Sequence, residues 1–315
     1  MEFKHTAVLA AETVSGLNIR PEGIYADGTL GAGGHASRIC AELNANGTLI
    51  GIDRDAEALA EAERALAGFG CRRIFIGDNF RNIKAVAECL GIRAIDGAVL
   101  DLGVSSYQLD NPDRGFSYMN AGPLDMRMDG SESAEAPLTA YEIVNRYPED
   151  EIAKIIKEYG EERWAKRIAK RIAFSRREAD IVSTAQLADI IKSAIPAAAR
   201  RDGPHPAKRT FQALRIAVND ELEPLGAALG DFIDLLAREG RLAVITFHSL
   251  EDRIVKETFA GRENPCECPP GIPECVCGKV ADAKRVNRKP ITAGVAELAE
   301  NPRARSAKLR IVEKL

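Results

Sequence analysis

A chain of 315 residues, 45% hydrophobic and 29% charged, is long and apolar enough for one large folded domain plus a smaller one, so disorder is not the expectation. No uninterrupted apolar run approaches the roughly 20 residues of a membrane helix, and the opening Met1-Glu2-Phe3-Lys4-His5-Thr6 lacks an apolar signal core, so a cytoplasmic protein with no membrane partner is expected. The formal net charge of −4 hides a polarised map, with 13 Lys and Arg against 7 Asp and Glu between residues 160 and 220 and 9 against 4 from 281 to 315, which suits one polyanion-facing side.

A helical opening (Val8, Leu9, Val14, Leu17) leads to a short apolar strand signal, Ile24-Tyr25-Ala26, ending at Asp27. The next stretch, Gly28-Thr29-Leu30-Gly31-Ala32-Gly33-Gly34-His35, places four glycines in seven residues. With so few Cβ atoms it turns tightly and admits a ligand to its main chain. It also aims amides, and the N-terminus of a helix expected over 36 to 45, at that ligand. Strand 48 to 52 ends at Asp53, about 20 residues past the loop, where an acid meets a ribose hydroxyl; Gly31, Gly33 and Ala36 fit Gly-x-Gly-x-x-Gly/Ala. An Ala/Glu-rich helix over 55 to 67, strand 73 to 77 before Asp78, helix 80 to 90 and strand 97 to 100 before Asp101 continue the alternation. Repeated strand-helix units predict an α/β fold with a doubly wound, mostly parallel Rossmann-like sheet that binds ligands at the carboxyl ends of its strands.

Asp27, Asp53, Asp78 and Asp101 all fall at that edge. Gly and Asp also mark ordinary turns, but four successive strand-end acids make that the weaker account. Dinucleotide oxidoreductases and S-adenosylmethionine (SAM) enzymes both set a ribose beside such an acid. A carboxylate ahead of the glycines favours the latter, because it attracts the cationic methionine end of SAM and repels a pyrophosphate.

After Asp101 the alternation stops. Residues 111 to 130, rich in Gly, Pro and Asp, read as an irregular loop. Ile152, Ile155, Ile156 and Tyr159 mark an amphipathic helix. Trp164, Ile168 and Ile172 mark a second, whose other face carries Arg163, Lys166, Arg167, Lys170 and Arg171. Ser183-Thr184-Ala185-Gln186 reads as a capping box opening a third. The expected organisation is a sheet domain over 1 to 110 and 205 to 315, interrupted by an all-helical insertion over 111 to 204. In the second part, helices near 208 to 219 and 222 to 238 precede a fifth strand, 240 to 247, and a closing strand near 309 to 312.

The seven cysteines, odd in number and without an export signal, point to reduced thiols. Cys266-x-Cys268 and Cys275-x-Cys277 offer four thiolates, but this spacing among prolines fits a mobile loop equally well, and no metal ligands are assigned. Of four histidines, His35 in the glycine loop and His248 at a strand end stand where ligand contacts are expected; His5 and His205 read as structural or surface residues.

Seven motifs in series carry a resemblance. They are Asp27-Gly-Thr-x-Gly-x-Gly-Gly-His, Asp101-Leu-Gly-Val-Ser-Ser-x-Gln-Leu-Asp, Arg114-Gly-Phe-Ser, Gly122-Pro-Leu-Asp-Met-Arg-Met-Asp, His205-Pro-Ala-Lys-Arg-Thr-Phe-Gln-Ala-Leu-Arg, Thr246-Phe-His-Ser-Leu-Glu-Asp-Arg and Asn301-Pro-Arg-Ala-Arg-Ser-Ala-Lys-Leu-Arg. Together, in order over nearly the whole chain, they resemble the bacterial small-subunit ribosomal RNA cytosine-N(4) methyltransferases. The resemblance implies SAM as cofactor, contacted by Gly33, Gly34, His35, Asp53, Phe80, Asp101 and Gln108. It also implies small-subunit ribosomal RNA, within the ribosomal subunit, as partner, with the helical insertion helping to hold it. The Asn/Asp-Pro-Pro-Tyr motif of many amino-methylating enzymes is absent, and Asp101, Ser105 and Ser106 occupy the equivalent place after the fourth strand. These three are the candidate acceptors for the amine protons, and Phe116, Tyr118 or Phe247 the candidate platforms for the unstacked base. An NAD-dependent oxidoreductase and a non-catalytic RNA-binding protein are the alternatives, the first leaving Asp27 unexplained and the second the strand-end acids.

Overall fold

The computed structural model describes residues 7–130, 138–201, 203, 205–269 and 276–315. The chain divides into two compact units, Met1–Gly103 with Leu222–Leu315, and Val104–Glu221. The first unit begins α1 (Ala10–Leu17), β1 (Ile24–Asp27), α2 (Gly34–Glu42), β2 (Thr48–Asp53), α3 (Ala56–Leu66), β3 (Arg72–Gly77), α4 (Ile83–Cys89) and β4 (Ile95–Asp101). The second holds α5 (Ser106–Asp110), α6 (Ala140–Arg146), α7 (Glu149–Gly160), α8 (Ala165–Ser175), α9 (Thr184–Ala194) and α10 (Lys208–Asn219). The chain then returns to the first unit with α11 (Leu225–Leu235), β5 (Leu236–Thr246), α12 (Ser249–Glu263), β6 (Ala283–Arg285), α13 (Val295–Glu300) and β7 (Lys308–Lys314).

The seven strands form one sheet in the order β3-β2-β1-β4-β5-β7-β6. The first five run parallel, and β7 and β6 close the edge antiparallel. Neighbouring side chains leave a strand on opposite faces. Tyr25, Leu49 and Val99 accordingly enter one apolar cluster with Leu17, Ile39 and Leu66, while Ala26, Ile50 and Leu100 enter another with Ile83, Phe232 and Phe259. Helices cover both clusters, the doubly wound arrangement the alternation predicts. The strand order reverses at β1, which pairs with β2 on one side and β4 on the other, and open α/β sheets bind ligands outside the carboxyl ends at such a switch point.

The helical unit reaches further than expected. Residues 104–110 and 205–221 pack with it and not with the sheet, because Phe211 and Leu214 of α10 join Ile143, Ile152, Ile156 and Ile168 in its core. A Cβ on Gly160 would stand 2.6 Å from the Arg209 carbonyl oxygen, so α7 and α10 approach at the backbone. The loop after α5 is irregular yet packed: Phe116, Leu124, Met126 and Met128 are buried. Asn219 ties it to α10, donating from Nδ2 to the Met126 carbonyl at 2.7 Å and accepting from the Met128 amide at 2.9 Å. The short elements α5 and β6 have too few residues to show a period. Among the described residues no helix is long and apolar enough to cross a membrane.

Candidate active site

The glycine loop leaves β1 through Gly28, where a Cβ would meet Leu100 Cδ2 at 2.5 Å and Phe80 Cβ at 3.1 Å, so no larger residue fits without displacement. Gly31 and Gly33 take left-handed backbone angles (φ 50° and 83°), and Gly33 caps α2. The loop is then fastened to the ends of neighbouring strands. Asp53 accepts from the Gly31 amide at 2.8 Å with Oδ2 and from the Asp55 amide at 2.9 Å with Oδ1. Thr29 Oγ1 accepts from the Asp101 amide at 2.6 Å. The sequence alone assigns Thr29 no role, although a hydroxyl inside a glycine loop is a signal that could have found it.

The structure brings Gly33, Gly34, His35, Asp53, Phe80 and Asp101 onto the carboxyl edge of the first unit's sheet. Asp27 and Asp101 end the adjacent strands β1 and β4, and His35 opens α2 above them. His35 Nε2 lies 3.6 Å from Asp101 Oδ2, with 5% of the histidine side chain and 26% of the aspartate exposed. Burial alone would lower the His35 pKa, but the Asp101 and Asp27 carboxylates outweigh it, and the net shift is upward. Burial pushes the Asp27 carboxyl up to about 6 against the attraction of His35. It also raises Asp53, against the two amides that donate to it. Asp27 Oδ2, both ring nitrogens of His35 and Asp101 Oδ1 are buried without a hydrogen-bond partner among the described residues. Buried polar atoms are ordinarily paired, and each orphan costs about 1–3 kcal/mol. Three neighbouring carboxylates, two of them with an orphaned oxygen, suit a cationic ligand and oppose a pyrophosphate. They therefore fit a sulfonium cofactor.

Several expectations change in the structure. Asp27 is 1% exposed, with Oδ1 accepting from the Thr29 amide at 3.1 Å, so its carboxylate is closed off from solvent. Asp78 serves its own turn, accepting from the Asn79 amide at 2.6 Å and Asn82 Nδ2 at 2.7 Å. Ser105, Ser106 and Gln108 belong to the second unit. There Ser105 caps α5 in a reciprocal box with Gln108, whose Nε2 donates to the Met128 carbonyl at 3.1 Å, so the buried amide is engaged inside its own unit. Phe116 is 5% exposed in the helical core and cannot offer a face to a base. Tyr118 stacks on His205 at 4.6 Å between ring centroids, which leaves Phe247, half-buried beside the sheet, as the candidate platform. His248 caps α12, with Nε2 3.0 Å from Glu251 Oε1. His5 and Cys275 lie outside the described residues.

In the second unit, Arg163, Lys166, Arg167, Lys170 and Arg171 are all exposed, while Ala165, Ile168, Ala169 and Ile172 of the same helix are buried. Arg163 lies over the Trp164 ring at 5.2 Å and Arg171 over Phe174 at 5.5 Å, and Phe174 is itself 52% exposed. A basic face with aromatic rings among the cations suits phosphate and base contacts.

The family model described as the MraW methylase family matches residues 2–315. A protein from Ruminiclostridium cellulolyticum called ribosomal RNA small subunit methyltransferase H is 52% identical over 317 residues, covering 100% of both chains. Its namesakes from Symbiobacterium thermophilum and Brevibacillus brevis are 54% and 53% identical, each over 100% of this chain and 98% and 99% of their own. The chain belongs to the MraW methylase family, and its cofactor is S-adenosylmethionine.

Proposed function

We propose that the chain methylates the exocyclic N-4 amine of a cytidine in small-subunit ribosomal RNA, acting in the cytoplasm on RNA held in the ribosomal subunit. The observation that carries this reading is the set of coupled, partly orphaned carboxylates at the β1–β4 switch point, together with the names of the full-length relatives. When bound, the cofactor supplies an electrophilic methyl group on a cationic sulfur.

The remaining work falls to the chain. A cytosine amine is a poor nucleophile because its lone pair is delocalised into the ring, so the protein must align it and accept hydrogen bonds from its protons. Asp101 is the acceptor we assign: it is the more exposed of the two carboxylates clustered with His35, whose Nε2 lies 3.6 Å from it. The amine nitrogen gains the methyl group and then sheds one proton readily, so no strong base is needed. Asp53 accepts from the ribose hydroxyls, Gly33 and Gly34 give the cofactor access to the main chain, and Phe80 borders the same loop at Gly28. Ser106 remains a candidate for the amine side, whereas Ser105 and Gln108 act by ordering α5. The α8 face takes the RNA phosphates.

The test is mass spectrometry of small-subunit ribosomal RNA from a strain lacking the gene. Loss of one N-4-methylated cytidine, restored by the unaltered gene and not by Asp101→Asn, is expected. An unchanged set of modified cytidines in the deletion strain refutes the reading.

A further inference from the structure

Between α12 and β6 the chain runs through a loop whose two ends are pinned together. Arg262 Nη1 donates to Asp282 Oδ2 at 2.7 Å, and Arg285 donates from its backbone to Glu263 Oε1 at 3.1 Å and from Nε to Oε2 at 2.8 Å. Between those clamps no described residue from 264 to 282 is buried, and Val276 and Val280 are 77% and 83% exposed. Among the described residues from 264 to 282 none is in a helix or a strand, and Pro265 and Pro269 each lack a backbone donor. Yet three cysteines from its two arms, Cys266, Cys268 and Cys277, bring their sulfurs within 4.8 Å of one another.

Apolar burial does not explain that convergence, and among the described residues none of the three is half of a disulfide. The arms are linked by the Val276 amide donating to Cys268 Sγ at 3.4 Å and by the Lys279 ammonium pairing with Glu267; both contacts are exposed, and such contacts supply little energy. A tetrahedral zinc with Zn–S bonds of about 2.3 Å needs sulfurs roughly 3.8 Å apart, a small closure from the observed spacing. Soft thiolate ligands select zinc over hard cations, and an exposed loop without a core is the kind of segment a structural metal stabilises.

We propose that Cys266, Cys268 and Cys277 are thiolate ligands of a structural zinc ion that staples the α12–β6 loop, a fourth donor completing the tetrahedron. Binding forms three S–Zn bonds and releases the protons of those cysteines that were thiols, with no change of oxidation state. The site is separate from the cofactor residues and draws nothing from the proposed reaction.

The experiment uses the full chain, purified with reductant, exposed to zinc and then freed of excess by gel filtration. Elemental analysis should find about one zinc per chain. Cobalt(II) put in its place should give the intense near-ultraviolet band of thiolate-to-cobalt charge transfer. The triple variant Cys266→Ser, Cys268→Ser, Cys277→Ser should retain at least about tenfold less metal while binding SAM as before in calorimetry. Protease cleavage between residues 264 and 282 should quicken when the unaltered chain is treated with a chelator. Failure to retain zinc, retention of iron or copper instead, a disulfide among these cysteines in the reduced preparation, or equal zinc in the variant would each overturn the site. Should the variant misfold, the cobalt spectrum of the unaltered chain decides, and absence of the thiolate band is then the refuting result.

Discussion

Replacing Asp101 by Asn keeps the shape of the side chain and removes its charge, so it separates the two roles open to that residue. The backbone stays fastened, since the Asp101 amide donates to Thr29 Oγ1 at 2.6 Å whichever side chain is present. What disappears is the attraction to His35, whose Nε2 stands 3.6 Å from Asp101 Oδ2. Two unit charges at that distance interact by roughly 4 to 5 kcal/mol at an effective dielectric constant near 20, an upper bound that the relieved desolvation of both groups reduces. Because Asp101 helps hold the His35 pKa up, the variant's histidine should titrate at lower pH, which proton NMR of the ring reads directly. If Asp101 accepts from the cytosine amine in the transition state, kcat at saturating SAM and RNA should fall by roughly 10²-fold, near 2.7 kcal/mol. If it serves only the cofactor, calorimetry should show SAM affinity reduced by about 10- to 150-fold while kcat recovers at saturation. The assay is transfer of labelled methyl groups to small-subunit RNA, supplied both naked and as assembled subunits. Near-normal kcat together with near-normal SAM affinity would refute the assignment and move the acceptor role elsewhere.

Asp53→Ala removes the proposed ribose acceptor and the partner of the Gly31 amide, and should weaken SAM binding by roughly 10- to 150-fold in calorimetry; unchanged affinity returns Asp53 to a loop-fastening role. Reversing charge at Lys166, Arg167 and Lys170 should lower RNA affinity and flatten its logarithmic salt slope by about 0.7 to 0.9 for each phosphate the face no longer neutralises, with SAM binding intact; an unaltered slope identifies the face as merely solvated. Asp27 provides a pH test. Its carboxyl, pushed up to about 6 by burial, binds a proton in the folded state over a range where the unfolded chain has released it. Stability should therefore fall as pH rises from about 4 to 6, by roughly 3 kcal/mol in all, and Asp27→Asn should remove that slope in urea melts; parallel curves for the two proteins would sink the argument.

The alternation of strands and helices up to Asp101, the glycine loop, the acids at the strand ends and the amphipathic stripe of α8 were legible in the sequence, because each is local. A period of two or 3.6, a run without Cβ atoms or a capping pair is written in a few consecutive residues. The electrostatic coupling of those acids was not legible. That Asp27 is closed over and pushed to about 6, that Asp78 is spent on its own turn, and that Asp101 meets His35 depend on how β1, β3, β4 and α2 lie side by side. The same holds for the reach of the helical unit, settled by Gly160 admitting the backbone of α10 against α7, and for Phe116, whose aromatic ring the sequence could not tell from a base platform until the core closed around it. The meeting of Cys266, Cys268 and Cys277 across a proline-rich loop is likewise a tertiary fact, since sequence spacing fixes the length of chain between ligands and not the distance between their sulfurs.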